Sequence, residues 1–163
     1  MPVKREINLS KSISNFGSFS TSDQETLSAN KSNSSKICLL VDDDDDDKEI
    51  FCLALEQIDP TITCHTASDG REALRILSNK SVLPDYIFLD LNMPQMDGKE
   101  CLKEIKKQAP LNHIPVIIFS TSSAQKDMDE TKKLGATSFI TKPPLVSELA
   151  KKLTEVFTTV PAK

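Results

Sequence analysis

ICLLVDDDDDDKEIF (37–51) governs how the rest of the chain is read. Its first five residues are a continuous apolar run, the pattern of a strand covered on both faces. Six consecutive aspartates follow without a break. Like charges at that density repel one another, and runs of this kind usually belong to solvated tails or linkers. This run instead leaves the end of a buried strand and leads into Ile50, Phe51, Ala54, Leu55 and Ile58, whose spacing predicts an amphipathic helix, with Pro60 just beyond it. An acidic run at a strand-to-helix junction is either surface composition or part of a site, and the rest of the sequence has to decide.

Working outward, the alternation repeats. TITCHTA (61–67) reads as a strand and DGREALRILSNK (69–80) as a helix, with Asp69 near its start and Ala73, Leu74 and Leu77 on one face. YIFLD (86–90), PVIIFS (115–120) and TSFIT (137–141) read as strands, each followed by a helical pattern: 97–108, 123–135 and 146–157. Gly135 suits a helix C-terminus. Strands alternating with helices in this way imply an α/β sandwich built on a parallel sheet with right-handed crossovers. In such folds ligands sit outside the carboxyl ends of the strands.

Composition supports one folded domain with an appendage: 163 residues, 38% hydrophobic, net charge -4. Residues 1–36 carry five basic and three acidic side chains, so the remainder carries -6, which the aspartate run alone supplies. The acidity is local, and no basic nucleic-acid footprint is present. Residues 1–35 include ten serines and no sustained apolar period, so we expect a disordered arm there and a folded domain over 36–160. A docking motif around Ile13, Phe16 and Phe19 is the alternative reading of that arm. Cys38, Cys52, Cys64 and Cys101 show no CxxC or metal-ligand spacing and read as small buried hydrophobes. His65 and His113 read as structural, and Met93 and Met96 as loop packing. Without a secretory leader pattern or an apolar run near the ~20 residues that span a bilayer, a reduced, cytoplasmic setting is expected, with no membrane partner.

The strand ends carry the chemistry. The first ends in Asp42 and Asp43, the third in Asp90, the fourth in Ser120 and Thr121, the fifth in Lys142. Crowded carboxylates raise one another's pKa, and a hard divalent cation relieves the crowding. Mg²⁺ prefers oxygen ligands and typically joins one or two carboxylates to a phosphate oxygen. The set therefore predicts a Mg²⁺-assisted phosphoryl site in which Lys142 pairs a phosphoryl oxygen, Ser120 bonds another, and a carboxylate can itself be the nucleophile.

LLVDD (39–43), TASDGREAL (66–74), YIFLDLNMPQMDG (86–98), IPVIIFSTS (114–122) and GATSFITKPP (135–144) together resemble the receiver domain of two-component response regulators, the CheY-like proteins. The resemblance covers about residues 36–160 and implies a flavodoxin-like, doubly wound five-stranded parallel sheet, order 2-1-3-4-5, flanked by five helices. It makes Asp90 the phosphoacceptor, Asp42 and Asp43 metal ligands beside Asp90, and the Asn92 backbone carbonyl a further ligand. Ser120 becomes the switch hydroxyl, Lys142 the phosphate-pairing base and Phe139 the aromatic switch, and the family often has a cis bond at Lys142–Pro143. Two positions depart from the common pattern. Thr121 stands where Ala is frequent and is expected to lengthen the phosphorylated lifetime. Phe139 stands where Tyr is commoner and lacks a phenolic hydrogen bond; a plain core role for it stays open. Asp44 to Asp47 are expected to cap and complement the first helix, with Asp46 or Asp47 adding negative potential near the site.

The resemblance implies a stand-alone phosphorelay protein. It would be a phosphoacceptor and not an enzyme in the ordinary sense, with Mg²⁺-dependent self-phosphorylation from small donors and self-dephosphorylation. Its partners would be a sensor histidine kinase or histidine phosphotransfer protein and a downstream protein target on the 124–157 face, with a homodimer possible. Two alternatives belong to other classes. One is a degenerate receiver that acts only as a protein-binding module. The other is a haloacid-dehalogenase-like phosphatase, which also uses a strand-end Asp, a hydroxyl, a Lys and paired acids around Mg²⁺. In that class the nucleophile comes first and the acidic pair last, whereas here the order is reversed and DLNM (90–93) lacks the second Asp.

Overall fold

The structure, a computed structural model, describes residues 35–80 and 83–162; the serine-rich arm expected over 1–35 lies outside them apart from Ser35. Five strands and five helices alternate: β1 (Ile37–Val41), α1 (Asp45–Ile58), β2 (Thr63–Ala67), α2 (Gly70–Ser78), β3 (Tyr86–Leu89), α3 (Gly98–Lys107), β4 (Val116–Ser120), α4 (Gln125–Lys133), β5 (Ser138–Thr141) and α5 (Val146–Thr159). All strand pairs are parallel and the order is β2-β1-β3-β4-β5. The flavodoxin-like topology expected from the resemblance is what the chain adopts.

The period of two along each strand sorts the core into two layers. Leu39 and Val41, Ile87 and Leu89, and Val116 and Ile118 pack with Ala73 and Leu77 of α2 and Cys101, Leu102 and Ile105 of α3. Cys38 and Leu40, Tyr86 and Phe88, and Ile117 and Phe119 face the opposite way, onto Phe51, Ala54 and Leu55 of α1 and Leu149, Leu153 and Val156 of α5. An aromatic chain runs through this second layer. Phe51 meets Phe88 at 4.8 Å and Phe119 at 5.4 Å, and Tyr86 meets Phe157 at 5.0 Å.

Helix starts follow local chemistry. Asp44 caps α1 by accepting from the Asp46 and Asp47 amides, Asp69 caps α2 through Glu72, and Asp97 with Glu100 forms a capping box on α3. Helix α4 has no side-chain cap and buries only Thr131. It is accordingly shorter than the 123–135 pattern predicts, because few of its side chains gain by packing inward. Gly135 follows it at φ 98, as a helix-terminating glycine should. The Lys142–Pro143 bond is trans, contrary to the family tendency noted above, since no described peptide bond is cis; trans remains the lower-energy form even before proline. Among the described residues, no helix is long and apolar enough to cross a membrane.

Candidate functional site

Strand register assembles the site. Val41 pairs with Leu89, so Asp42 and Asp90 leave adjacent strands side by side, and the ladder continues one step further through the Asp90 amide to the Val41 carbonyl at 2.9 Å. Ser120 pairs with Thr141, which sets Lys142 just beyond, its amide bonded to the Ser120 carbonyl at 2.8 Å. At the other side, the Asp42 amide bonds the Ala67 carbonyl at 2.9 Å. The sheet therefore fixes Asp42, Asp90 and Lys142 through backbone hydrogen bonds before any side-chain contact is counted.

One carboxylate oxygen from each of Asp42, Asp43 and Asp90 lies within 4.8 Å of the other two. Asp42 is fully buried and Asp90 nearly so, whereas Asp43 is exposed. The Lys142 ammonium donates to Asp42 Oδ2 at 2.6 Å and to Asp47 Oδ2 at 2.7 Å, and stands 3.8 Å from Asp90 Oδ2. It also lies 5.3 Å from the centre of the Phe119 ring, within cation–π range. Asp42 Oδ1 accepts from the Asp44 amide at 3.0 Å, and Asp90 Oδ1 from the Leu91 amide at 2.8 Å.

The charge balance is lopsided: among the described residues, the site carboxylates outnumber the ammonium groups that reach them. Burial pushes both Asp42 and Asp90 above the ordinary carboxylate range. Lys142 pulls each back, and for Asp90 the neighbouring Asp42 adds to the rise. Burial alone would lower Lys142, but its bonds to Asp42 and Asp47 outweigh that and hold it above the usual lysine value. The two directions have different causes: burial raises the aspartates, whereas hydrogen bonds to the aspartates raise Lys142. The donor set fits a hard divalent cation, being all oxygen and short of positive charge. Asn92 lies on the exposed loop two residues past Asp90, with its amide bonded to the Asp90 carboxylate.

Gly98, at the start of α3, fixes the loop behind Asp90. Its amide bonds the Leu91 carbonyl at 3.0 Å, and a Cβ there would lie 2.1 Å from the Asp90 carbonyl oxygen. The intervening turn bends at Gln95, with φ 68 and a Met96 amide to Pro94 carbonyl bond of 2.8 Å. Met93 and Met96 pack against the α2–α3 layer, as the loop-packing reading anticipated.

The Ser120 hydroxyl is buried and accepts from the Ser122 amide at 3.2 Å. Ser122 Oγ donates to Asp127 Oδ2 at 2.6 Å, and Asp127 Oδ1 accepts from Lys99 at 2.8 Å, with Glu130 also on Lys99 at 2.5 Å. This chain of contacts joins the end of β4 to α3 and α4. Thr121 is exposed beside it. Phe139 is half-buried on β5, opposite Ile118, and packs against the α2–α3 layer. His65 and His113 lie away from the acids, in β2 and in the loop before β4.

Two sets of contacts escaped the sequence reading. Asp44 is the cap, as expected, and of Asp46 and Asp47, both candidates for negative potential near the site, it is Asp47 in the first turn of α1 that bonds Lys142, a contact the run did not specify. The Ser122–Asp127–Lys99 contacts had no sequence signal at all.

A family model for the response regulator receiver domain matches residues 38–154. The chain belongs to this family. Its relatives include the response regulator Rcp1 of Synechocystis, 31% identical over 128 residues, 76% of this chain and 87% of that one. A protein-glutamate methylesterase/protein-glutamine glutaminase of Methanococcoides burtonii is 36% identical over 124 residues, which cover 75% of this chain but only 34% of that protein. Among solved structures, the phosphorylated cyanobacterial phytochrome response regulator RcpA aligns with TM-score 0.71 at 33% identity, over 77% of this chain and 96% of that one. The Mn²⁺-bound form of Rcp1 aligns with TM-score 0.68 at 31% identity, over 78% and 99% of the two chains. Membership in the receiver family removes the haloacid-dehalogenase alternative.

Proposed function

We propose that this receiver is a phosphorelay signalling protein in which Asp90 is the phosphoacceptor. A phosphohistidine of a sensor kinase or phosphotransfer protein is the donor. The Asp90 carboxylate attacks phosphorus, a P–O bond forms, and the P–N bond to imidazole breaks. One observation carries the reading: three carboxylate oxygens within 4.8 Å of one another, with a lysine ammonium 3.8 Å from Asp90. Asp42, Asp43, Asp90 and the Asn92 carbonyl are the residues that would hold Mg²⁺, and relatives bear on this, since Rcp1 has a Mn²⁺-bound form. The ion supplies hard positive charge to the carboxylates and to phosphoryl oxygens.

The chain's own residues do the rest. Lys142, fixed by Asp42 and Asp47, meets one phosphoryl oxygen, and the buried Ser120 hydroxyl meets another. Turning toward that oxygen, Ser120 gives up the bond from the Ser122 amide, and through Ser122 and Asp127 the change reaches Lys99 and α4. The 124–157 surface is the output face for a protein target, with Phe139 sensing the same shift by burial alone. A receiver serving only as a binding surface has no use for buried, mutually repelling carboxylates that weaken its own fold, which disfavours the degenerate alternative.

The test is incubation with Mg²⁺ and acetyl phosphate, comparing wild type with Asp90→Asn. A base-labile phosphoryl adduct on wild type alone supports the assignment. Equal labelling of both proteins overturns it.

A further inference from the structure

Cys52 and Cys64 have nothing in the sequence to connect them, yet α1 lays Cys52 against β2 and brings the two sulfurs to 2.9 Å, the Cys52 S–H donating to the Cys64 sulfur. Even non-bonded carbon atoms rest about 3.5–4.0 Å apart. A disulfide measures about 2.05 Å, so the pair stands within about 0.9 Å of bonding distance. Exposure separates these two thiols from the others: Cys38 and Cys101 are buried, whereas Cys52 and Cys64 are only partly so. This corrects the expectation that all four are buried hydrophobes. Cys38, the register partner of Cys64, is the competing neighbour, but it is fully buried in the core.

We propose that Cys52 and Cys64 are a redox modification site, forming a reversible intramolecular disulfide that pins α1 to β2. The oxidant is of the peroxide class. The Cys52 sulfur attacks one peroxide oxygen, the O–O bond breaks, and a sulfenic acid and one water result. The Cys64 sulfur then attacks the Cys52 sulfur, the S–S bond forms and the S–O bond breaks, and hydroxide leaves with the thiol proton as a second water. Two thiol protons and two electrons pass to the peroxide. Small thiols reopen the bond and are themselves joined as a disulfide. Burial pushes the Cys64 thiol upward and the Cys38 thiol up to about 12, which disfavours either of them as the sulfur that attacks the peroxide. Disulfides in reducing compartments are mostly transient and redox-sensing, and this one closes the helix whose first turn carries Asp47, the partner of Lys142.

The experiment treats the reduced full chain with hydrogen peroxide, blocks free thiols and maps the peptides by mass. The expected result is loss of two of the four thiols, a Cys52–Cys64 linkage within single chains, and a melting temperature raised by about 10 °C that dithiothreitol reverses. Cys52→Ser abolishes the linkage and the shift, while Cys38→Ala leaves the linkage intact. A Cys38–Cys64 linkage, bonds only between chains, or conversion of Cys52 to sulfinic acid without a bond to Cys64 overturns the proposal. Mapping on the wild type decides this even if a variant folds poorly.

Discussion

Neutralising Asp90 should make the metal-free protein more stable, although the substitution removes the side chain assigned the central role. In Asp90→Asn the oxygens within 4.8 Å, on Asp42 and Asp43, lose a like-charged neighbour, and Lys142 at 3.8 Å loses an attractive one. With an effective dielectric of about 20, each repulsion costs about 3.5 kcal/mol and the attraction returns about 4.4 kcal/mol. The balance favours the variant by about 2.5 kcal/mol, and screening of the exposed Asp43 reduces it to about 1–2 kcal/mol. Lys142 keeps its bonds to Asp42 and Asp47, so no charge is orphaned. Thermal unfolding in chelator should show Asp90→Asn melting about 3–6 °C above wild type, and added Mg²⁺ should stabilise wild type more than the variant. The pH dependence has a definite sign. A carboxylate whose folded pKa is raised binds protons more tightly folded than unfolded, so stability falls as pH rises from about 3.9, the unfolded value, through the raised one. The wild type should lose stability over that window relative to Asp90→Asn. A variant no more stable than wild type in chelator, or equally responsive to Mg²⁺, would refute the electrostatic account.

Three further outcomes are expected. Gly98→Ala should cost about 3 kcal/mol or more, because its Cβ would meet backbone, whereas Gly70→Ala, whose Cβ would meet chiefly the flexible end of Met96 at 2.8 Å, should cost less; urea unfolding distinguishes them, and equal losses refute the argument. Asp44→Ala should destabilise by about 1 kcal/mol through loss of the α1 cap while Asp44→Asn recovers most of it, again measured by urea unfolding. Thr121→Ala should shorten the lifetime of the phosphoryl adduct several-fold by opening access beside Ser120, and an unchanged decay rate would sink that role.

Much of this was readable before any coordinates. A run such as VIIFS at β4 or YIFL at β3 can satisfy its apolar side chains only between two helical layers, and a polar residue directly after each run must sit at the strand's carboxyl edge. Asp42, Asp90, Ser120 and Lys142 could therefore be placed together from local pattern alone. Helix α4 was less legible: its sequence, QKDMDETKK, offers little apolar periodicity, so its ends depended on contacts formed elsewhere.

What the sequence determined by itself was thus the alternation of elements, the family and the edge on which the polar residues gather, since period and run length are properties of neighbouring positions. Tertiary structure alone decided that Asp47 joins Asp42 on Lys142, that Ser122 reaches Asp127, and that Cys52 meets Cys64. Those contacts depend on how far each helix is rotated and slid over the sheet, a matter of packing across the whole core that no local spacing encodes.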